Sequence, residues 1–425
     1  MIFNLLSYYL GIEYRSYYST ESLKEYQLKK FKKLFEYARS NSKFYHELYH
    51  KAGCDKLEIK TIEDVSKVPI VDKKIMVKAG SDALLTCPLT EKLYSHYTSG
   101  STGEPFKIFQ TWEEEFHAHV RVFWMMKELG YRPWHKIFMI VRYDQNKKFN
   151  VESKVSILSR FQKMTGCFQR VVVNIFETPD VMWHALEENK DAKWLWTTPP
   201  VLDILSEYME KIGVTRSFWG GIILFGEALS ESQRERFKRL FGKRIFSHYG
   251  LMECPTLGFE FDPDRREKLL IPGLAMAEMV KDEEGHGEFV MTNLDNFTMP
   301  FIRYNTHDWL KIVDSEDFPT KLIGDVAGRK NDILDLGNGR QLAHNQVYDM
   351  FRDFAECRQF KVIQYKDGRL VLRISPVNNA DETKAKQEAL RRWNKKFPET
   401  SIEVEITSIM PVSPSTGKFK VLEKL

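Results

Sequence analysis

From Glu21 to Lys51 the apolar positions Leu28, Phe31, Leu34, Phe35 and Tyr37 recur at helical spacing among lysines and glutamates, which predicts an amphipathic helical region near the start of the chain. Downstream the pattern changes to short apolar runs. KIFMIVRY, RVVVNIF, WGGIILFG, KRIFSHYG and GEFVMTNL each read as a short buried strand. SESQRERFKRLFG and PDVMWHALEENKD read as helices between them, each opened by a capping Ser, Thr or Asp. Strands alternating with helices predict an α/β fold with largely parallel sheets. Past about residue 330 the pattern shifts to a smaller unit. FKVIQYKDGRLVLRIS reads as a hairpin turning at Asp367-Gly368, followed by the helix DETKAKQEALRRWNKKF and the strand SIEVEITSI.

Size and composition sharpen this picture without naming a function. A chain of 425 residues exceeds what one hydrophobic core usually organises, so two or more domains are expected. With 43% hydrophobic and 29% charged residues there is ample material for a core and no compositional case for disorder. A net charge of +4 is small for this length and does not by itself point to nucleic acid or an anionic membrane. The five cysteines are odd in number, scattered and without a CxxC pair, which argues against a disulfide framework and a structural zinc site and fits reduced thiols in a cytoplasm. The apolar start MIFNLLSYYLGI lacks the basic leader of a signal peptide and is too short to span a bilayer. It reads as a segment packed on the body, with contact at a membrane surface as the alternative and no stable insertion.

Candidate chemistry begins with YTSGSTGEPFKIFQ, where five consecutive small residues, Ser99, Gly100, Ser101, Thr102 and Gly103, separate two hydrophobic runs. Glycine lets a backbone approach a ligand, and hydroxyls with free N–H groups can wrap a phosphate. A hairpin tip or solvated linker is the plainer reading. A P-loop is excluded, because Gly103-Glu104-Pro105 stands where Gly-Lys-Ser/Thr is required and no other stretch supplies GxxxxGK[ST].

Further stretches follow in order: FGEALS from Phe225, SHYGLMECP from Ser247, GEFVMTNLDNFTMPFIRYNTHDWLKI from Gly287, GDVAGRKNDILDLGNGRQL from Gly324, and SPSTGKFKVL near the end. With YTSGSTGEP at their head, they resemble the adenylate-forming superfamily of acyl-CoA synthetases and nonribosomal adenylation domains, most closely its phenylacetate-CoA ligase-like and capsule-biosynthesis-type branch. The resemblance covers nearly the whole chain. It implies a large N-terminal domain, residues 1–328, with mixed or parallel sheets, and a small mobile α+β domain, residues 329–425. The implied reaction is ATP-dependent activation of a carboxylate, with magnesium on the phosphates and coenzyme A as acceptor. A carrier-protein thiol, an amine or a sugar are alternative acceptors, and a degenerate protein that binds without turnover is an alternative of another class.

The resemblance also assigns residues. The Ser99–Gly103 loop would hold the β- and γ-phosphates, with Gly226, Glu227, His248 and Gly250 completing the nucleotide site. Tyr249 would lie against adenine and Glu253 on magnesium, a hard cation suited to carboxylate oxygen. Core packing and a surface carboxylate are their plainer readings. Where the family usually has Thr or Ser on the α-phosphate, this chain has Met252. The lost hydrogen bond is worth roughly 1.5–3 kcal/mol, about one to two powers of ten in rate. Asp308 would accept both ribose hydroxyls, and His307 stands before it where glycine is usual. That histidine is either a partly exposed loop residue or a group with a second role in proton handling. Arg329 matches a ribose- or phosphate-contacting arginine, and Asp332 the hinge. Lys418 matches the lysine that stabilises charge between carboxylate and α-phosphate, its compact charge suited to delivery by a moving domain.

The acid itself is the least legible. His117, Phe123, Trp124, Phe225 and Leu251 are candidate wall residues, and the resemblance implies an apolar, aromatic or medium-sized acid. The 13% of aromatic residues do not imply an aromatic substrate, since most such rings are core. The basic and aromatic run FKRLFGKRIF is explained by helix and strand patterning without nucleic acid.

Overall fold

The computed structural model describes residues 19–90, 92–97, 106–142, 166–227, 229, 231–283, 286–315, 320–329, 334–337, 339–342, 344–351, 354, 356–376, 381–407, 410 and 421–425. The chain divides into two compact units and passes between them several times. One takes in Glu115–Pro272 and Asp314–Ile323; the other takes in Leu23–Glu114, Gly273–Val313 and Gly324–Leu425.

The first unit is built on five parallel strands in the order Arg170–Asn174, Ile137–Val141, Trp194–Thr197, Gly221–Phe225 and Ile245–Tyr249. Two antiparallel strands, Gly258–Glu260 and Lys268–Leu270, extend it. Alternation sorts the side chains onto two faces. Phe138, Ile140, Leu195, Ile222, Leu224 and Ile245 meet Leu186, Leu202, Leu205, Met209, Phe237 and Phe241 from three helices, Pro179–Glu188, Pro199–Ile212 and Glu231–Phe241. Each such side chain contributes about 1.5–3 kcal/mol on burial. On the other face Trp124, from the helix Trp112–Glu128, packs edge-on against Phe259 at 5.8 Å. The unit is therefore an α/β layer structure with helices on both sides, as the alternating pattern predicts.

The helices PDVMWHALEENKD and SESQRERFKRLFG are both present, at Pro179–Glu188 and Glu231–Phe241. The expectation of a side-chain cap fails at the first: Thr178 has the extended N-cap conformation, but its side chain makes no capping bond and Pro179 opens the helix instead.

The second unit opens with the predicted helical region, split in two. Ser42 ends Thr20–Asn41 and caps Lys43–Lys51 by accepting from the Tyr45 N–H. Phe31, Leu34 and Phe35 are fully covered, while Tyr37 stays exposed. The Tyr45 hydroxyl donates to the Pro300 carbonyl at 2.8 Å and accepts from the Ile302 N–H at 3.2 Å, anchoring the helices. GEFVMTNL is a strand, His286–Asn293, but an antiparallel one, between Ala275–Glu283 and Tyr304–Val313. The two-residue strand Val71–Asp72 runs parallel beside Tyr304–Val313.

Residues 334–425 carry a hydrophobic cluster of their own, including Leu334, Val347, Phe351, Val362, Leu372, Ala389, Trp393 and Leu422. The predicted hairpin pairs Cys357–Gln364 with Leu370–Pro376 and turns at Gly368, whose φ of +85° is open to glycine without strain. Helix Glu382–Lys396 follows, capped by Asp381, and strand Glu403–Ile406 lies parallel to Leu370–Pro376. None of the five cysteines is in a disulfide. Among the described residues no helix is long and apolar enough to cross a membrane.

Candidate active site

The carboxyl ends of parallel strands are where an open α/β sheet receives ligands, because loops and helix starts converge there. In the first unit two such ends lie side by side, with Phe225 directly opposite His248 in the register. Phe225-Gly226-Glu227 and His248-Tyr249-Gly250 are thus brought together. Gly226 has a φ of +83°, so the chain leaves its strand through a conformation suited to glycine. Gly250 is required for a different reason: a Cβ there would stand 2.8 Å from the Thr256 N–H nitrogen. The turn beyond it is closed by paired bonds between Leu251 and Cys254, N–H to carbonyl at 3.2 and 3.1 Å, and by the Leu257 N–H donating to the Tyr249 carbonyl at 3.0 Å. This turn holds Glu253 buried and leaves Met252 exposed.

A buried ion pair fixes the base of this strand end. Arg234 donates to both Glu260 oxygens at 2.7 and 2.9 Å and to the Ile245 carbonyl at 2.9 Å, while the Ser247 N–H donates to Glu260 at 2.8 Å. Both side chains are 2% exposed. A charge so deeply buried is tolerated because every side of the carboxylate is answered.

His248 is the opposite case. Neither ring nitrogen has a hydrogen-bond partner among the described residues, and both are shut off from solvent. Burial, with the nearby Lys268 charge adding to it, pushes the imidazole down to about 4, so the ring is neutral at physiological pH. Trp196, from the neighbouring strand, stands 5.7 Å from the Phe225 ring and 5.9 Å from the imidazole. Trp196 belongs to this wall although the sequence pattern did not single it out: KWLWTTPP is too short a run to show a period.

Of the other candidate wall residues, Leu251 lies in the turn after Gly250, and His117 stands two helical turns before Trp124 on the same face of its helix. Phe123 packs against Phe168 at 5.5 Å and Tyr131 at 6.4 Å, and Tyr131 packs in turn on Trp194 at the opening of its strand.

Asp308 is in the second unit, on the strand Tyr304–Val313, and is 7% exposed. Its N–H donates to the Thr306 hydroxyl at 3.1 Å, which itself donates to the Phe289 carbonyl at 3.0 Å. His307 before it has a φ of +59°, the left-handed region that favours glycine. Three contacts hold it there. Its N–H donates to the Asn305 side-chain oxygen at 2.8 Å, Nε2 lies 3.3 Å from an Asp72 oxygen, and Nδ1 lies 3.8 Å from a Glu288 oxygen. Asn305 ties this group together by donating to Glu288 at 2.6 Å.

The comparisons with known proteins extend these observations to the whole chain. No family profile matches the sequence. Over 376 residues the chain is 20% identical to phenylacetate-coenzyme A ligase of Pseudomonas putida, a match that covers 83% of this chain and 81% of that protein. It is 23% identical over 304 residues to the protein of the same name from Thermus thermophilus, covering 68% and 65%. Among solved structures, 2-hydroxyisobutyryl-CoA ligase in the postadenylation state, in complex with R3-HIB-AMP, superposes with a TM-score of 0.75 at 15% identity, over 94% of this chain and 89% of that one. The fold is that of the adenylate-forming enzymes. ATP-bound MatB from Rhodopseudomonas palustris shares it, with a TM-score of 0.55 at 14% identity over 77% and 65% of the two chains.

Ser99, Gly100, Ser101, Thr102, Gly103, Asp332 and Lys418 lie outside the described residues. Arg329 closes the strand Leu322–Arg329. The structure thus brings together the FGE and HYG segments with Trp196 and Trp124 in one unit, and separately builds the Asp308 turn in the other.

Proposed function

We propose that this chain is an ATP-dependent carboxylate-activating ligase that forms an acyl-adenylate, releases pyrophosphate and passes the acyl group to a thiol, that of coenzyme A. The observation that supports it most is the match of fold along almost the whole chain to a CoA ligase solved with an acyl-AMP. The adjacency of Phe225-Gly226-Glu227 and His248-Tyr249-Gly250 agrees with it.

In the first half-reaction a carboxylate oxygen attacks the α-phosphorus of ATP and pyrophosphate leaves. In the second a thiolate attacks the acyl carbon and AMP leaves. Little covalent chemistry falls to the protein, so its work is positioning and charge neutralisation. The Ser99–Gly103 loop wraps the outer phosphates, Tyr249 lies on adenine, Asp308 takes the ribose hydroxyls with Arg329 beside them, and Lys418 bridges carboxylate and α-phosphate. Residues 329–425 act as the lid that turns about Asp332 between the two steps.

Among the described residues no three His, Cys, Asp or Glu side chains gather as a metal shell. Magnesium keeps several waters and is shared between one or two carboxylates and the substrate phosphates. Glu253 is the carboxylate that would hold it, and the ion would supply neutralisation of the phosphate charge.

A second reading, nucleotide or acyl-adenylate binding without turnover, is favoured by Met252, an exposed thioether where the family has a hydroxyl. Pyrophosphate–ATP isotope exchange over a panel of acids separates the two. Acid-dependent exchange that is lost in Lys418→Ala supports the ligase. Exchange equal in both proteins removes Lys418 from its role. ATP binding by calorimetry with no exchange for any acid establishes the binding protein.

A further inference from the structure

A half-buried imidazole whose two nitrogens are both sealed from solvent and unanswered is uncommon, because each unsatisfied polar atom costs about 1–3 kcal/mol and most native ones have a partner. His248 is such a group, and it stands at the end of a central parallel strand. The rings around it are aromatic, with the Lys268 charge nearby. Trp196 covers one side with its ring centroid at 5.9 Å, Phe225 is its register partner on the adjoining strand, and Phe259 is its partner on the other. At Gly250 a Cβ would stand 3.3 and 3.4 Å from Cε1 and Nε2, so the glycine adds no side chain of its own to this edge of the ring. Tyr249, the next residue, is the one assigned to the nucleotide, and alternation directs the His248 side chain to the opposite face of the strand.

We infer that His248 belongs to the acid side of the site rather than the nucleotide side, and that it selects a carboxylic acid with a planar apolar body carrying a hydroxyl group. This rests on the ligase reading above and names its substrate class. A neutral imidazole offers one N–H donor and one bare nitrogen acceptor. A hydroxyl can donate to the bare nitrogen or accept from the N–H, so it answers the one nitrogen that faces it whichever tautomer is present; a carbonyl answers only the N–H, and an ammonium answers only the bare nitrogen. Trp196 and Phe225, 5.7 Å apart by ring centroids and tilted 42° to each other, supply apolar ring faces against which such a body packs. The low proton affinity of the ring fits the same class, since a neutral imidazole gives no compensation to a second anionic group.

The test is pyrophosphate–ATP exchange with matched pairs of aromatic acids that differ by a single ring hydroxyl, run on the full-length wild type, His248→Phe and His248→Asn. In the wild type kcat/KM for the better hydroxylated member exceeds that of its unsubstituted partner by about ten- to a hundredfold, because the unsubstituted acid leaves the ring unpaired. His248→Phe brings the ratio to one or below, and His248→Asn, which keeps a donor and an acceptor, restores part of it. Thermal melting of each variant separates lost selectivity from lost folding, and the wild-type ratio stands without any variant. Exchange with acids of either kind at a ratio near one in the wild type, or a preference that survives in His248→Phe, overturns the assignment while leaving the ligase intact. No exchange with any acid overturns the ligase reading and this assignment with it.

Discussion

Two histidines, one in each compact unit, are treated by the protein in opposite ways. His307, in the second unit, carries a backbone strain natural to glycine and is held by Asn305, Asp72 and Glu288. Its polar groups are used up by the chain itself. His248, in the first unit, sits in relaxed strand geometry with two solvent-sealed ring nitrogens that no described residue answers. The surroundings of the two also differ. A carboxylate cage makes the His307 turn a self-contained support for Asp308, whereas the aromatic neighbours of His248 leave both its ring nitrogens without a protein partner among the described residues.

The contrast can be broken most forcefully at the frame. Glu260→Ala leaves Arg234 buried and uncompensated beneath the His248 strand and should cost about 3–5 kcal/mol, read by urea denaturation. A loss below 1 kcal/mol, on the order of an exposed pair, means that the ion pair does not hold this strand end. Gly250→Ala comes next. Its new methyl meets backbone at 2.8 Å, so the Leu251–Cys254 turn must shift, at about 1–3 kcal/mol and with reduced pyrophosphate exchange. Unchanged melting and exchange would show that the turn adapts freely.

Acid titration then addresses His248 itself. Its folded-state value of about 4 lies below the ordinary 6.5, so the unfolded chain binds the proton first. Stability is unaffected by this group above pH 6.5 and falls as pH drops from 6.5 to about 4, by up to roughly 3 kcal/mol. His248→Phe should flatten that part of the stability curve, and an acid limb identical in the variant contradicts the buried neutral ring. The smallest effect is expected at His307. His307→Gly relieves the positive φ while His307→Ala retains it, so the glycine variant should be the more stable of the two by about 1 kcal/mol in thermal denaturation. The reverse order would mean that the turn does not need a left-handed residue.

The sequence carried the strands that end at Phe225 and Tyr249, because each is a short apolar run followed by glycine, and it carried the Asp367-Gly368 hairpin through its turn residues. It did not carry the antiparallel neighbours of GEFVMTNL, since a fully buried strand reads the same in either direction. Trp196 escaped because four residues before two prolines offer no period. Arg234 and Glu260 are 26 positions apart, and their pairing exists only once the helix and strand are packed together. The substitution of His307 for glycine was legible as a departure, and the positive φ gives its physical meaning. The state of His248 was not legible at all, because a sequence shows which groups are polar but not which are left unanswered.

The central claim is that a carboxylic acid is activated by nucleotidyl transfer, and the products of one turnover decide it. With ATP, magnesium and an acid selected from the exchange panel, but no thiol, a single-turnover reaction resolved by mass spectrometry should yield enzyme-bound acyl-AMP and pyrophosphate in equal amounts. Formation of ADP and inorganic phosphate would contradict the account.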